Sequence, residues 1–171
     1  MSLINKRNYQ HEMPVIKSDT VEIPYPPNFI GSGLTSSADN NKLISIFELP
    51  DIYDSIQVGD IVINNTTSAI AYVTGVDPSD ITTIFISSNI FTDVFGGEEF
   101  SIYKSMGNSG ITYDAPVLYV ESKTPSHSIS VLTAGGQTVT FNNVLNGVFP
   151  VQVKRVNATG STALTTVIAL W

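Results

Sequence analysis

The chain has no cysteine. Disulfides, thiolate metal sites and a cysteine nucleophile are therefore excluded. Charge is also scarce: Asp, Glu, Lys and Arg make up 13% of the 171 residues, about half the usual ~25%. There are two histidines, His11 and His127, and neither has a partner at metal-ligand spacing. Both are expected as exposed loop residues. No apolar run approaches the ~20 residues of a membrane-spanning helix. No hydrophobic stretch follows Met1–Arg7 as a secretory signal would require. The sequence also lacks a Gly-x-Ser-x-Gly elbow, a phosphate-binding glycine loop with a following lysine, internal repeats and coiled-coil heptads.

What is present is β-patterned. Hydrophobic residues reach an ordinary 42%, and Ser, Thr, Asn and Gly fill the place of missing charge. Short strands, read as alternating apolar and polar residues, follow one another from Asp114 to Trp171: Val117–Val120, Ile129–Val131, Thr138–Phe141, Val151–Val153 and Val167–Leu170. Turns punctuate them at Thr124-Pro125-Ser126, Ala134-Gly135-Gly136, Asn142-Asn143, Leu145-Asn146-Gly147 and Ala158-Thr159-Gly160. Short strands at such spacing predict an antiparallel sandwich or barrel. The apolar end Ile168–Trp171 is expected to be tied into a sheet or an interface.

Residues 1–13 are polar and aperiodic and read as an arm. Val15–Ile23 reads as a strand, ended by Pro24-Tyr25-Pro26-Pro27. Ile30–Leu34 is Gly- and Ser-rich and Thr35–Asn41 is polar, which marks a boundary. From Lys42 to Lys104 a separate module starts with Leu43, Ile44, Ile46 and Phe47, passes through a turn into a strand over Val58–Asn64, and continues with strands at Ala69–Val76, Thr82–Ser87 and Phe100–Tyr103, about five strands in all. A helical turn is expected near Leu49–Ser55 or Ile90–Phe95. This module is expected to form a small antiparallel barrel. Met106–Gly110 reads as a flexible linker.

The net charge of −7 is unevenly spread. Residues 18–104 carry twelve acids against Lys42 and Lys104, while residues 1–17 hold Lys6, Arg7 and Lys17 against Glu12. Nothing matches the basic footprint of a nucleic-acid binder. Asp77, Asp80, Glu98 and Glu99 offer oxygen donors, but their spacing is not that of an EF-hand, and they read as turn acids. Asn64-Asn65-Thr66-Thr67 and Asn157-Ala158-Thr159 match glycosylation acceptors. Lys154-Arg155 interrupts the alternation around Val153 and reads as a β-bulge, or else as a basic contact for an acidic partner.

Several segments carry a resemblance. They are Val117-Leu118-Tyr119-Val120, Thr133-Ala134-Gly135-Gly136-Gln137-Thr138-Val139-Thr140-Phe141 and Gly147-Val148-Phe149-Pro150-Val151-Gln152-Val153-Lys154-Arg155-Val156. Ala158-Thr159-Gly160-Ser161-Thr162-Ala163, Ile168-Ala169-Leu170-Trp171 and Ser18-Asp19-Thr20 before Ile23-Pro24 belong to the same set. Together they resemble the spike-base, or head-spike base, proteins of phages and phage-like particles. In short members of that family the Ser-Asp-Thr strand leads almost directly to the Leu-Tyr-Val strand. Here roughly 80 residues intervene, as in a domain inserted at a loop tip. Glu121-Ser122-Lys123 departs from the glycine expected after the Tyr-Val strand.

The expectation is therefore an all-β protein: a discontinuous, jelly-roll-like antiparallel β-sandwich with an inserted small β-barrel module. Its parts are an arm at 1–13, a sandwich from 14–34 plus 114–171, an insert at 42–104 and a linker at 105–113. The resemblance implies a bacteriophage virion structural protein without enzymatic activity or cofactor. It would serve as a capsid vertex spike or fibre base, or as a decoration protein on the head exterior, assembled in the bacterial cytoplasm. The implied partners are further copies in a trimer or pentamer, the major capsid protein or another virion protein, and a fibre protein. Nucleic acid and membrane are not among them. Lys6, Arg7, Tyr9, Lys154, Arg155 and Trp171 are the candidate partner-binding residues. The alternatives are a neck or tail structural protein, or a carbohydrate- or receptor-binding module using Tyr53, Tyr72, Tyr103 and Tyr113.

Overall fold

A computed structural model describes residues 10–109, 114–122, 127–162 and 166–171 of the chain. Nearly all regular structure is antiparallel β. The chain divides into two compact units, one from Met1–Asp19 with Tyr113–Trp171, the other from Thr20–Thr112.

The first unit is a sandwich of two sheets. β1 (Glu12–Pro14), β14 (Thr166–Leu170), β9 (Val117–Glu121) and β12 (Gly147–Phe149) form one sheet in that order. β11 (Thr138–Phe141), β10 (Ile129–Thr133) and β13 (Val153–Val156) form the other. Because successive strand residues point to opposite faces, Leu118, Val120, Ala169 and Phe149 line one inner face, and Ile129, Val131, Val153 and Val156 the other; all are buried. Phe141 meets Phe149 edge to face, ring centroids 4.9 Å apart, and so joins the two sheets. The β10–β11 hairpin turns through Ala134-Gly135-Gly136, with Gly136 at φ +83°, a conformation glycine adopts without strain.

Several sequence boundaries move. The expected strand Val15–Ile23 is not a strand; the ladder instead uses Glu12–Pro14, partly inside the expected arm, paired with Leu170–Ile168. Backbone pairing needs no side-chain periodicity, so a polar segment can supply an edge. The expected strand Val151–Val153 is displaced: Val151 and Gln152 lie between strands, after β12 (Gly147–Phe149), and only Val153 belongs to β13 (Val153–Val156). The Lys154 bulge is present: Leu132 faces Arg155 and Thr133 faces Val153, which leaves Lys154 as the extra residue.

The second unit holds a seven-stranded sheet ordered β2 (Phe29–Leu34), β8 (Glu99–Tyr103), β5 (Ile61–Asn64), β6 (Ala69–Val76), β7 (Thr83–Ile86), β4 (Lys42–Ile44), β3 (Ser37–Asp39). β6 pairs with β5 through Ala69–Tyr72 and with β7 through Val73–Val76, changing partner beside a bulge. Leu43, Val62, Val73, Ile84, Phe100 and Ile102 form the core with Leu49 and Tyr53 from the helical turns α1 (Leu49–Ile52) and Tyr53–Ser55.

This sheet is not the expected closed barrel. β2 and β3, the two ends of the strand order, are joined directly through Thr35-Ser36, and no ladder pairs them among the described residues. Residues 20–34 also belong to this unit rather than to the sandwich. The Gly- and Ser-rich stretch taken as a boundary is strand β2. A Cβ on Gly31 would stand 2.8 Å from Ile52 Cδ1, and one on Gly33 would meet Glu48 Cγ. The glycines are there so that α1 and its leading residue can lie directly on the strand. The polar stretch Ser37–Ile44 is a hairpin with Asn41 at φ +52°. The expected linker also has structure: α2 (Met106–Ser109) is one helical turn, and Asn108 Nδ2 donates to Asp60 Oδ1 and the Val58 carbonyl.

Candidate interaction surfaces

The sandwich presents two outward faces of opposite character. On the three-stranded sheet the outward residues are Ser130, Thr138, Thr140, Leu132 and Arg155. Its own chain covers part of this face. Ser130 Oγ accepts from Asn157 Nδ2 at 3.0 Å, and Ser130 N–H donates to Ser161 Oγ at 2.9 Å. Gly160, at φ +83°, lies so close that a Cβ would be 3.2 Å from Ser130 Cβ. Thr159 is tied down by Asp19, whose carboxyl is held below the usual range by the Thr159 N–H and hydroxyl.

On the four-stranded sheet the outward residues form a cross-strand row: Pro14 faces Ile168, Ile168 faces Tyr119 and Tyr119 faces Val148. Leu170 and Val117 make the next row, in which Val117 is buried. Tyr119 is 36% exposed and Val148 52%. Among the described residues, charge appears here at the corners, as Glu12 and Glu121. An antiparallel sheet with one face on the core normally shows polar residues on the other. Exposed apolar patches of this kind mark interaction sites. Leu145, 82% exposed, precedes edge strand β12.

This row was missed in the sequence, yet a signal was present. Val117-Leu118-Tyr119-Val120 and Val167-Ile168-Ala169-Leu170 are unbroken apolar runs, whereas Thr138-Val139-Thr140-Phe141 alternates. Unbroken runs belong to strands buried on both faces.

Of the expected partner-binding residues, Lys6, Arg7 and Tyr9 lie outside the described residues. Lys154 and Arg155 are half-buried on β13, and Arg155 Nε donates to Asn157 Oδ1. Trp171 ends β14 on the other sheet, its backbone paired with Gln10 and His11. These residues thus sit on different sheets of one unit.

The other candidates resolve individually. His127 is not exposed: it is 2% accessible, neither imidazole nitrogen has a partner among the described residues, and its carbonyl accepts from Val144. Asp77 and Asp80 are turn acids held below the usual range, chiefly by the hydroxyls of Ser79 and Thr82. Glu98 is buried, and burial opposes its charge. The N–H groups of Asp93 and Thr92 and the Asn64 amide outweigh that and lower its pKa. Among the described residues no three carboxylate or histidine groups gather as a cation site. Asn64 and Asn157 are buried and hydrogen-bonded, which removes them as glycan acceptors. Tyr53 is in the core, Tyr103 packs edge-on to Phe29, Tyr72 is partly exposed and Tyr113 lies outside the described residues.

In the second unit, three loops meet at Thr35-Ser36. Gly97 N–H donates to the Thr35 carbonyl at 2.7 Å, and Ile46 N–H to Ser36 Oγ at 3.0 Å. The residues that flank these bonds in the chain include Leu34, Ile46, Phe47, Val94 and Phe95, all exposed, with Phe47 at 75% and Phe95 at 92%.

Comparison with family models, curated proteins and solved structures gives no match to this chain.

Proposed function

We propose that this chain is a structural component of a bacteriophage virion, a head accessory protein acting as a vertex spike or fibre base or as a decoration subunit. It acts by assembling with copies of itself and docking on the capsid, without catalysis. The observation that carries this reading is the apolar row Pro14–Ile168–Tyr119–Val148 on the outward face of a sheet whose other face is already packed. Cyclic symmetry, a trimer or pentamer, turns this face toward its neighbours in a closed ring. The sandwich unit suits self-contact electrostatically. It carries four acids against six bases, whereas the other unit carries eleven acids against two lysines.

Native mass spectrometry of the full-length protein tests the assembly. A closed trimer or pentamer supports the reading; a monomer at every concentration contradicts it. Protein identification in gradient-purified particles tests the location, and absence of the chain from particles that its genome encodes contradicts a virion role.

A further inference from the structure

The loop cluster of the second unit has no role in that contact. Exposed Leu34 ends β2 beside Thr35-Ser36, and exposed Ile46, Phe47, Val94 and Phe95 lie on the two loops pinned to Thr35-Ser36. The pinning is built in. Glu98, buried behind the Asp93–Gly97 loop, accepts from Thr92 and Asp93 N–H groups, while its own N–H donates to Thr35 Oγ1. The aromatic tips are therefore presented on a fixed frame. Acids adjoin them: Glu48 follows Phe47 in the chain, Asp93 Oδ1 accepts from Phe95 N–H, and Glu99 pairs with Leu34 across β2 and β8; for none of the three does an ion pair occur among the described residues. The unit's two lysines are already paired, Lys42 with Asp39 and Lys104 with Asp60.

An apolar tip with an acidic rim selects its occupant. Two such tips repel, because each unit carries net −9. The fitting ligand is apolar and basic, without acids. Residues 1–9 of this chain, Met-Ser-Leu-Ile-Asn-Lys-Arg-Asn-Tyr, have that chemistry: Leu3, Ile4 and Tyr9 beside Lys6 and Arg7. The described chain begins at Gln10, bonded to the Trp171 carbonyl on the edge of the four-stranded sheet. Nine residues reach at most about 30 Å when extended, enough to leave the sandwich from which they start. We infer that the segment 1–9 of one copy docks on the Phe47–Phe95 tip of a second copy, cross-linking subunits. The inference rests on the self-assembly reading, since a second copy supplies the segment.

The probe is a fluorescent peptide of residues 1–9. The receptor is the full-length Lys6→Glu/Arg7→Glu protein, which keeps its tip and loses its own basic segment. Saturable binding by anisotropy is expected, weakened by salt because both rims are exposed. In a receptor that also carries Phe47→Ser/Phe95→Ser, affinity is expected to fall about tenfold or more. Both side chains are largely exposed, and an unchanged melting curve verifies the fold. Full-length Phe47→Ser/Phe95→Ser protein with its native segment is expected to displace the peptide from the first receptor. Absence of peptide binding, binding indifferent to the tip changes, or failure of that competitor overturns the inference. Native mass of the same receptor reports ring formation independently: an intact ring with no peptide binding removes the arm–tip contact and leaves self-assembly standing.

Discussion

On one side of the sandwich β11 shows Thr138 and Thr140 to the outside; on the other β9 and β14 show Tyr119 and Ile168. Both sheets share one core, and both have the alternation that antiparallel pairing imposes. They differ in what happens to the outward residues. On the hydroxyl-rich face Ser130 is satisfied by its own chain, through Ser161 and Asn157, while Thr138 and Thr140 are exposed to solvent. On the apolar face the hydrogen-bonding side chains among the described residues are few, Tyr119, Thr166 and the corner glutamates, and its apolar area gains by excluding water. A polar outward face is thus compatible with solvent, and an apolar one calls for a neighbour.

The strongest way to break this comparison is to remove the core that both faces share. Phe149→Ala deletes the ring that meets Phe141 across the sheets. It is expected to cost about 3–5 kcal/mol in urea unfolding, and both faces are lost with it. A smaller change spares the faces. Asp60 is fully buried and accepts from Gln57 N–H, Ser105 N–H, Asn108 Nδ2 and Lys104 Nζ. Asp60→Ala leaves those donors without an acceptor and is expected to cost about 3 kcal/mol in the second unit. The native mass should be unchanged, because the sandwich row is intact.

A third effect is set by pH. The Glu98 pKa is lowered on folding, so the folded state favours the charged form. Its contribution is present above the ordinary glutamate value, about 4.3, and is lost as pH falls through the lower folded value. Glu98→Gln should therefore show a shallower loss of melting temperature on acidification than the wild type. An equally steep loss means that other carboxylates govern the acid transition.

Much of the fold was legible because apolar strands and turn residues speak locally. Ala134-Gly135-Gly136 marked its hairpin, and Lys154 marked its bulge. What stayed hidden depended on contacts distant in sequence. β2 was obscured by Gly31 and Gly33, whose reason is the side chains of Ile52 and Glu48. β1 is an edge strand chosen by backbone pairing with β14 rather than by its own residues. Sheet closure was overestimated because strand count does not reveal whether the end strands β2 and β3 pair with each other. For the site, basic residues were singled out, although Arg155 is engaged within its own sheet by Asn157. The informative pattern was apolar residues at both parities of β9 and β14.

The smallest expected effects on stability come from the outward residues themselves, within about 0.5 kcal/mol for exposed sites, and these changes separate the two faces. Two full-length variants, Tyr119→Lys/Val148→Lys on the apolar face and Thr138→Lys/Thr140→Lys on the polar face, should be compared with wild type by native mass spectrometry. The account predicts that the polar-face variant keeps the wild-type ring, and that the apolar-face variant loses it while its circular dichroism stays native. A ring that survives Tyr119→Lys/Val148→Lys, or that is lost equally in both variants, contradicts assembly through the four-stranded sheet.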